Sequence, residues 1–311
     1  MSDNIPSKPY FLRAIGDYLL ARFHRTRSTG DINDSIRAYN LAVQLLPVND
    51  AQFMDFLHDS GISILERYRL TGNLTDINQG ISKFQTCIEA TLNDHEPKAS
   101  WLNHLGVSYH RRFQRTEDVS DIDEAILFQQ KAIQLTPQGH ADLPVWLNNL
   151  GNSLQSCIDC TEDLVDISDA ILSQQKAVQL IPDGHAGMSG KMINLGNSFL
   201  CRFKHTGDPA DVHMAIYNYR QSATYPSGPP SIRLQGAKQW AYWSQISDPS
   251  QLLEAYHTAI HLISLVALGL EQTIQKHHTN LIDISELSAS AAAAAFHFER
   301  HDLALQLVFE S

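Results

Sequence analysis

The feature that most constrains this chain is a period. Glycines stand at Gly16, Gly61, Gly106, Gly151 and Gly196, every step being 45 residues. Threonines keep the register at Thr26, Thr71, Thr116, Thr161 and Thr206, and aspartates at Asp31, Asp76, Asp121, Asp166 and Asp211, while prolines close repeats at Pro47, Pro137, Pro182 and near Pro226. A period of this length means one supersecondary unit stacked on copies of itself, because a single unit cannot bury its own apolar face. Five repeats tile residues 10–230, at about 10–50, 51–97, 98–142, 143–187 and 188–230, after an N-terminal arm, 1–9, expected to be flexible.

Each repeat reads as two helices. In the fourth, Leu147, Leu150, Leu154 and Ile158 form a helical stripe with Gly151 on the same face, which defines helix A. Ile167, Ala170, Ile171, Ala177, Val178, Leu180 and Ile181 mark helix B, and Pro182 stops it by its missing N–H and its ring. The register aspartates read as helix B starts. Asp121 with Glu124 is an Asp-x-x-Glu form of the capping box, and Asp31 with Asp34, Asp76 with Gln79, and Asp166 with Asp169 fill the same slots, while Met214 breaks the pattern in the fifth repeat. No sustained alternation marks a strand. The predicted fold is all-α, a right-handed α-solenoid of antiparallel helix pairs.

Residues 231–311 follow the break "PSGPP", read as a rigid turn. Gly236, Trp240 and Trp243 echo helix A, and "LLEAYHTAIHLI" from Leu252 echoes helix B. Further helical segments near Leu268 to His278, Ile284 to Glu299 and from Asp302 complete a set of degenerate repeats or capping helices that close the array.

The pattern resembles the tetratricopeptide repeat, with Leu-Gly-x-x-Tyr on helix A and two alanines and a proline on helix B. The matching residues are Leu105, Gly106, Tyr109, Ala125, Ala132 and Pro137, then Leu150, Gly151, Leu154, Ala170, Ala177 and Pro182. The helix B aromatic appears as Tyr39, Phe84 and Tyr219, but as Gln129 and Gln174 in the middle repeats. The period exceeds the usual ~34 residues by about 11, placed here as a seven-residue extension between A and B and about four residues between repeats. The long, asparagine-rich repeats are also similar to kinesin light chain. Their cadence, "LNNLGNSL" leading to "QKAVQL", resembles fungal proteins that join such repeats to a C-terminal caspase-like (CHAT) peptidase domain. The resemblance implies a non-enzymatic scaffold or adaptor. The alternative is the regulatory arm of such a peptidase, whose catalytic domain would lie beyond Ser311.

Composition narrows the partners. At 311 residues, 43% hydrophobic and 18% charged, the chain can bury a substantial core. Lys and Arg number 23 against 34 Asp and Glu, leaving −11, which argues against nucleic acid and anionic membranes as main partners. The N-terminus lacks a basic segment followed by an apolar core, and the most apolar stretches fall short of a bilayer span. Cys87, Cys157, Cys160 and Cys201 are too few for a disulfide framework, so a soluble cytoplasmic protein is expected.

Catalytic signals are weak. Cys157 and Cys160 form Cys-x-x-Cys, the one candidate metal or redox pair, without a second pair or a βαβ context. Cys157 also stands where other repeats have Arg22, Arg67, Arg112 and Arg202, so drift is the reading and no metal is assigned. His257 with His261, and His297 with His301, lack the glutamate of a His-Glu-x-x-His helix. No nucleophile elbow, phosphate loop or dinucleotide fingerprint occurs, so neither cofactor nor enzymatic activity is expected. The arginine column reads as cations at the negative ends of the A helices, with an anion-binding ladder as the alternative. His140 and His185, in "PQGHADLP" and "PDGHAG", read as exposed loop residues.

The asparagines carry the binding hypothesis. Asn148 and Asn152, four residues apart, share a face with Val145 and Gln155, and the matching residues are Asn103, Val107 and His110 before them and Ile193, Asn197 and Leu200 after. In tetratricopeptide repeats this face lines the concave groove. The candidate partner-binding set is therefore Asn103, Asn148, Asn152, Asn197, His110 and Gln155, suited to a protein or peptide because amides both donate and accept. The alternative is that the asparagines are structural. Asn149 and Asn194 are expected to bond to nearby backbone.

Overall fold

Helix A is 19 residues long in all five repeats, and helix B is 16 or 17. The computed structural model describes residues 7–90, 98–161, 164–268, 289–291 and 293–294. The five pairs are α1 (Lys8–Thr26) with α2 (Thr29–Leu45), α3 (Phe53–Thr71) with α4 (Leu74–Glu89), α5 (Lys98–Thr116) with α6 (Val119–Leu135), α7 (Leu143–Thr161) with α8 (Leu164–Leu180), and α9 (Met188–Thr206) with α10 (Pro209–Thr224). A sixth pair follows, α11 (Pro230–Ser247) and α12 (Leu252–Leu268), joined through a 3₁₀ turn at Pro249–Gln251. No strand occurs among the described residues. The helical segments expected near 268–278, 284–299 and from 302 lie outside the described residues, apart from 289–291 and 293–294. None of the described helices is long and apolar enough to cross a membrane.

The additional length of the repeat lies in the helices, correcting the expected extension between A and B. Helices of 19 and 17 residues, 36 together, already exceed a whole ~34-residue repeat. Only two residues join A to B, as at 27–28, 72–73, 117–118 and 207–208. So short a turn needs a left-handed residue, supplied by Arg27, Gly72, Glu117 and Gly207 at φ of 56°, 68°, 59° and 72°. The N–H of each donates back to the carbonyl of Phe23, Tyr68, Phe113 or Phe203 at 2.7 Å, closing helix A in an αL cap. The register threonines complete the turn. Each of Thr26, Thr71, Thr116 and Thr206 donates its hydroxyl to the carbonyl four residues earlier and accepts the N–H two residues later.

Helix B starts earlier than the capping-box reading places it. The N-caps are Ser28, Asn73, Asp118 and Asp208, whose side chains accept from Asp31, Thr75, Ser120 and Ala210 N–H groups. The register aspartates, three residues inside, do other work. The Arg22 fork reaches Asp31 at 2.9 and 2.5 Å, Arg67 reaches Asp76 at 2.9 and 2.7 Å, Arg112 reaches Asp121 at 2.8 and 2.6 Å, and Arg202 reaches Asp211 at 2.9 and 2.6 Å. The carboxylates are 2–7% exposed, so each depends on its bidentate partner. The guanidinium holds Asp31 below the usual carboxylate range. Arg67 and Arg112 also donate to Asn33 and Asn78 of the preceding helix B, tying repeat to repeat. The arginine column is thus a clamp across the A–B turn, neither an anion ladder nor a set of dipole cations alone.

The glycine column makes the second contact. A Cβ on Gly16, Gly61 or Gly196 would stand 2.9, 2.6 or 2.7 Å from the Tyr39, Phe84 or Tyr219 ring, and on Gly106 or Gly151 it would meet Gln129 or Gln174 and a helix B carbonyl. Only a residue without Cβ lets helix B approach so closely. In the sixth pair Gly236 faces Ser222 and Ala223 of the preceding helix B, hence its altered register.

The chain forms two compact units, Met1–His140 and Ala141–Ser311. In the first, α1 to α6 pack in sequence order around buried clusters such as Phe23, Ile32, Ile36 and Ile64. In the second, α7 to α12 pack in the same way, burying Leu147, Leu150, Leu154, Ile193, Phe199 and Trp240. Two repeat junctions are Pro-x-Gly-His turns, with Gly139 and Gly184 at φ of 86° and 80° and the His140 and His185 N–H groups donating to the Pro137 and Pro182 carbonyls.

Candidate partner-binding face

The structure separates the six candidate residues. Asn103 and Asn148 are only 4% and 7% exposed, so burial removes them from any accessible face. Asn152, Gln155, Asn197 and His110 are partly buried. Asn103 and His110 belong to the first unit, and the other four to the second.

Asn148 is a rung between A helices. Its Oδ1 accepts from Asn194 Nδ2 at 3.0 Å, which also corrects the expectation that Asn194 bonds to backbone. The same rung, one residue further along the next A helix, joins Arg13 to Asp59 at 2.8 Å and His58 to His104 at 3.0 Å in the first unit. His58 also packs on Phe84 and Trp101. Burial and the neighbouring His58 push the His104 imidazolium down to about 3, so the ring is neutral at physiological pH.

Three candidates hold the fold with one end of an amide. Asn152 Oδ1 accepts from Gln174 Nε2 at 3.0 Å, Asn197 Oδ1 from the Tyr219 hydroxyl at 2.6 Å, and Gln155 Oε1 from Ser198 Oγ at 2.9 Å. Burial raises the Tyr219 pKa, keeping its hydroxyl a donor. The first repeat makes the same A-to-B bond from the Tyr39 hydroxyl to Asp17. At the matching positions the second repeat has apolar Ile62 and Phe84, and the third has Val107 and Gln129, whose buried amide has no partner. Among the described residues, the NH₂ groups of Asn152, Gln155 and Asn197 have no protein acceptor, and these side chains reach solvent. His110 is held down to about 4 by burial and Arg111, and is therefore neutral.

Cys157 is buried on α7 in the arginine slot, and the Cys160 side chain lies outside the described residues. His257 and His261 are exposed, and His297 and His301 lie outside the described residues. Sequence reasoning missed the His58–His104 rung and the Arg–Asp clamp. The signal for the clamp was present, since the Arg and Asp columns keep a nine-residue offset wherever both occur.

No family model matches the sequence, and no curated protein matches it. Similar solved structures include a chain of the APC/C hetero-tetramer Cut9–Hcn1, at 17% identity and a TM-score of 0.53, covering 84% of this chain and 41% of that one. The S. pombe nuclear import adaptor Nro1, a hypoxic regulator of sterol synthesis, is similar at 15% identity and a TM-score of 0.50, over 88% of this chain and 91% of that one. A putative kinesin light chain from Podospora anserina with nearly identical TPR-like repeats is 10% identical at a TM-score of 0.49, over 69% and 97%. This chain therefore spans about two fifths of the Cut9–Hcn1 chain. The likeness shows the fold, an all-α array of tetratricopeptide-type helix pairs.

Proposed function

We propose that the protein is a non-enzymatic cytoplasmic scaffold that captures a protein or peptide partner on the A-helix face. The observation that carries this is the division of labour in Asn152, Gln155 and Asn197: the carbonyl of each is fixed by the scaffold, and the amide NH₂ is left on a solvent-reached surface. Such a row suits the carbonyl oxygens of an extended or helical peptide, which need donors rather than charge. Charge supports the same class of partner, since a net −11 disfavours nucleic acid and anionic membrane. The test is Asn152→Asp with Asn197→Asp, which keeps each accepting oxygen and removes each donor. Affinity capture followed by mass spectrometry should recover a partner with the wild type and lose it with the variant.

A second reading, that the array is the regulatory arm of a longer caspase-like (CHAT) peptidase, rests on the repeat cadence. A His and a Cys on an α/β pattern encoded downstream of Ser311 would favour it, and a stop codon there would end it.

A further inference from the structure

The clamp arginines are committed to aspartates, but one arginine outside that column is not. Arg111 lies on α5 immediately before the clamp residue Arg112, and its Nη1 is buried without a hydrogen-bond partner. The side chain lines an open surface depression of about 370 Å³ in the first unit, together with Tyr68 and Arg69 of α3 and Gln114 and Arg115 of α5. Three guanidinium groups thus share one depression on a chain of net charge −11. Glu66 offsets part of this charge: its Oε1 accepts from Arg69 Nη1 at 2.9 Å, while its Oε2 is buried without a partner.

Helix ends account for some of the cluster. Arg69 and Arg115 stand in the last turns of α3 and α5, where the dipole favours cations. That explains nothing about Arg111, whose Nη1 loses its hydration without gaining an acceptor. The Tyr68 hydroxyl donates to the Arg111 carbonyl at 3.1 Å, and the Glu66 carboxylate acts on the Arg111 guanidinium through its charge without a hydrogen bond to Nη1. Burial and then the Arg69 charge lower the Arg111 guanidinium to about 10, so it stays cationic at neutral pH.

We propose that Arg69, Arg111 and Arg115 form a binding site for a phosphate group, with Arg111 Nη1 as the donor the protein leaves unused. Phosphate fits better than carboxylate because its extra oxygens can take the forks of more than one guanidinium. The site is independent of the partner-binding face, and its probe is inorganic phosphate rather than a protein.

Calorimetric titration of the full chain with inorganic phosphate at neutral pH and low salt should show saturable one-site binding, with acetate weaker by about tenfold or more. Arg111→Gln should weaken phosphate by about tenfold or more, and because an unpartnered buried charge is removed, its melting temperature should stay level or rise. Arg115→Gln, at an exposed position, should weaken phosphate several-fold at unchanged melting temperature, and it keeps the test readable should the first variant fold poorly. Binding of O-phosphoserine tighter than inorganic phosphate would assign a phosphorylated side chain as the source, and the reverse order a free phosphate. Absence of saturable phosphate binding, acetate as tight as phosphate, or full binding by the Arg115 variant would overturn the proposal.

Discussion

In the first unit the A helices are joined by Arg13 with Asp59 and by His58 with His104, whereas in the second the same position joins Asn148 with Asn194. An ion pair, two imidazoles and two amides thus serve one structural purpose. The seat of the glycine column varies as widely within each unit, with Tyr39, Phe84 and Gln129 in the first and Gln174 and Tyr219 in the second. The clamp varies least in chemistry but not in presence. The first unit has it at Arg22, Arg67 and Arg112, while the second has it at Arg202 and carries Cys157 at the other slot, leaving Asp166 half-buried where its counterparts are buried. Spacing, not residue identity, is what the two units hold in common, so the array tolerates exchange at a rung more readily than at a clamp.

The largest effect should come from breaking the clamp that the second unit retains. Arg202→Met leaves the Asp211 carboxylate buried without its fork, and should cost about 2–3 kcal/mol by urea denaturation, the partly exposed Arg202 keeping the loss below that of a fully buried pair. A loss near zero would show that the clamp does not hold the turn.

Acid should distinguish the rungs. His104 titrates near 3 when folded and near 6.5 when unfolded, so between those values the unfolded chain binds the proton and the folded chain does not. The rung's full contribution is therefore present above about pH 6.5 and is lost as pH falls, about 2.7 kcal/mol by pH ~4.5. The double variant His58→Asn, His104→Asn, which copies the rung of the second unit, should flatten that part of the pH profile. An unchanged profile would remove His104 from the explanation.

The smallest change restores a clamp. Cys157→Arg would offer Asp166 a partner, and because that carboxylate is already partly hydrated the gain should be about 0.5 kcal/mol in the same denaturation assay. Destabilisation would mean that the buried Cys157 slot cannot seat an arginine fork against Asp166.

The helix pairs could be read from the sequence because Gly, Thr and Pro mark where helices touch and stop. The turn lengths could not. A two-residue A–B turn needs positive φ, and Arg27 and Glu117, unlike Gly72 and Gly207, carry no sequence sign of it. That error hid the clamp, since arginine and aspartate nine residues apart face one another only across so short a turn. Helix geometry placed Asn148 and Asn152 on one face, but the burial of Asn148 depends on the stagger between neighbouring A helices, which no single-helix projection contains. Arg111 went unnoticed for a related reason, because its significance lies in the acceptor it lacks in the folded chain.

The central claim is that Asn152 and Asn197 hold the fold with their oxygens and read a partner with their NH₂ groups. Asp17 already accepts from Tyr39 in the first repeat, so aspartate is compatible with the bond that Asn197 makes to Tyr219. The most direct measurement is partner recovery by the Asn152→Asp, Asn197→Asp variant beside its melting curve. Recovery should fall about tenfold or more, the equivalent of roughly 1.4 kcal/mol, while the melting temperature stays near wild type. Wild-type recovery from a variant that melts normally would contradict the claim.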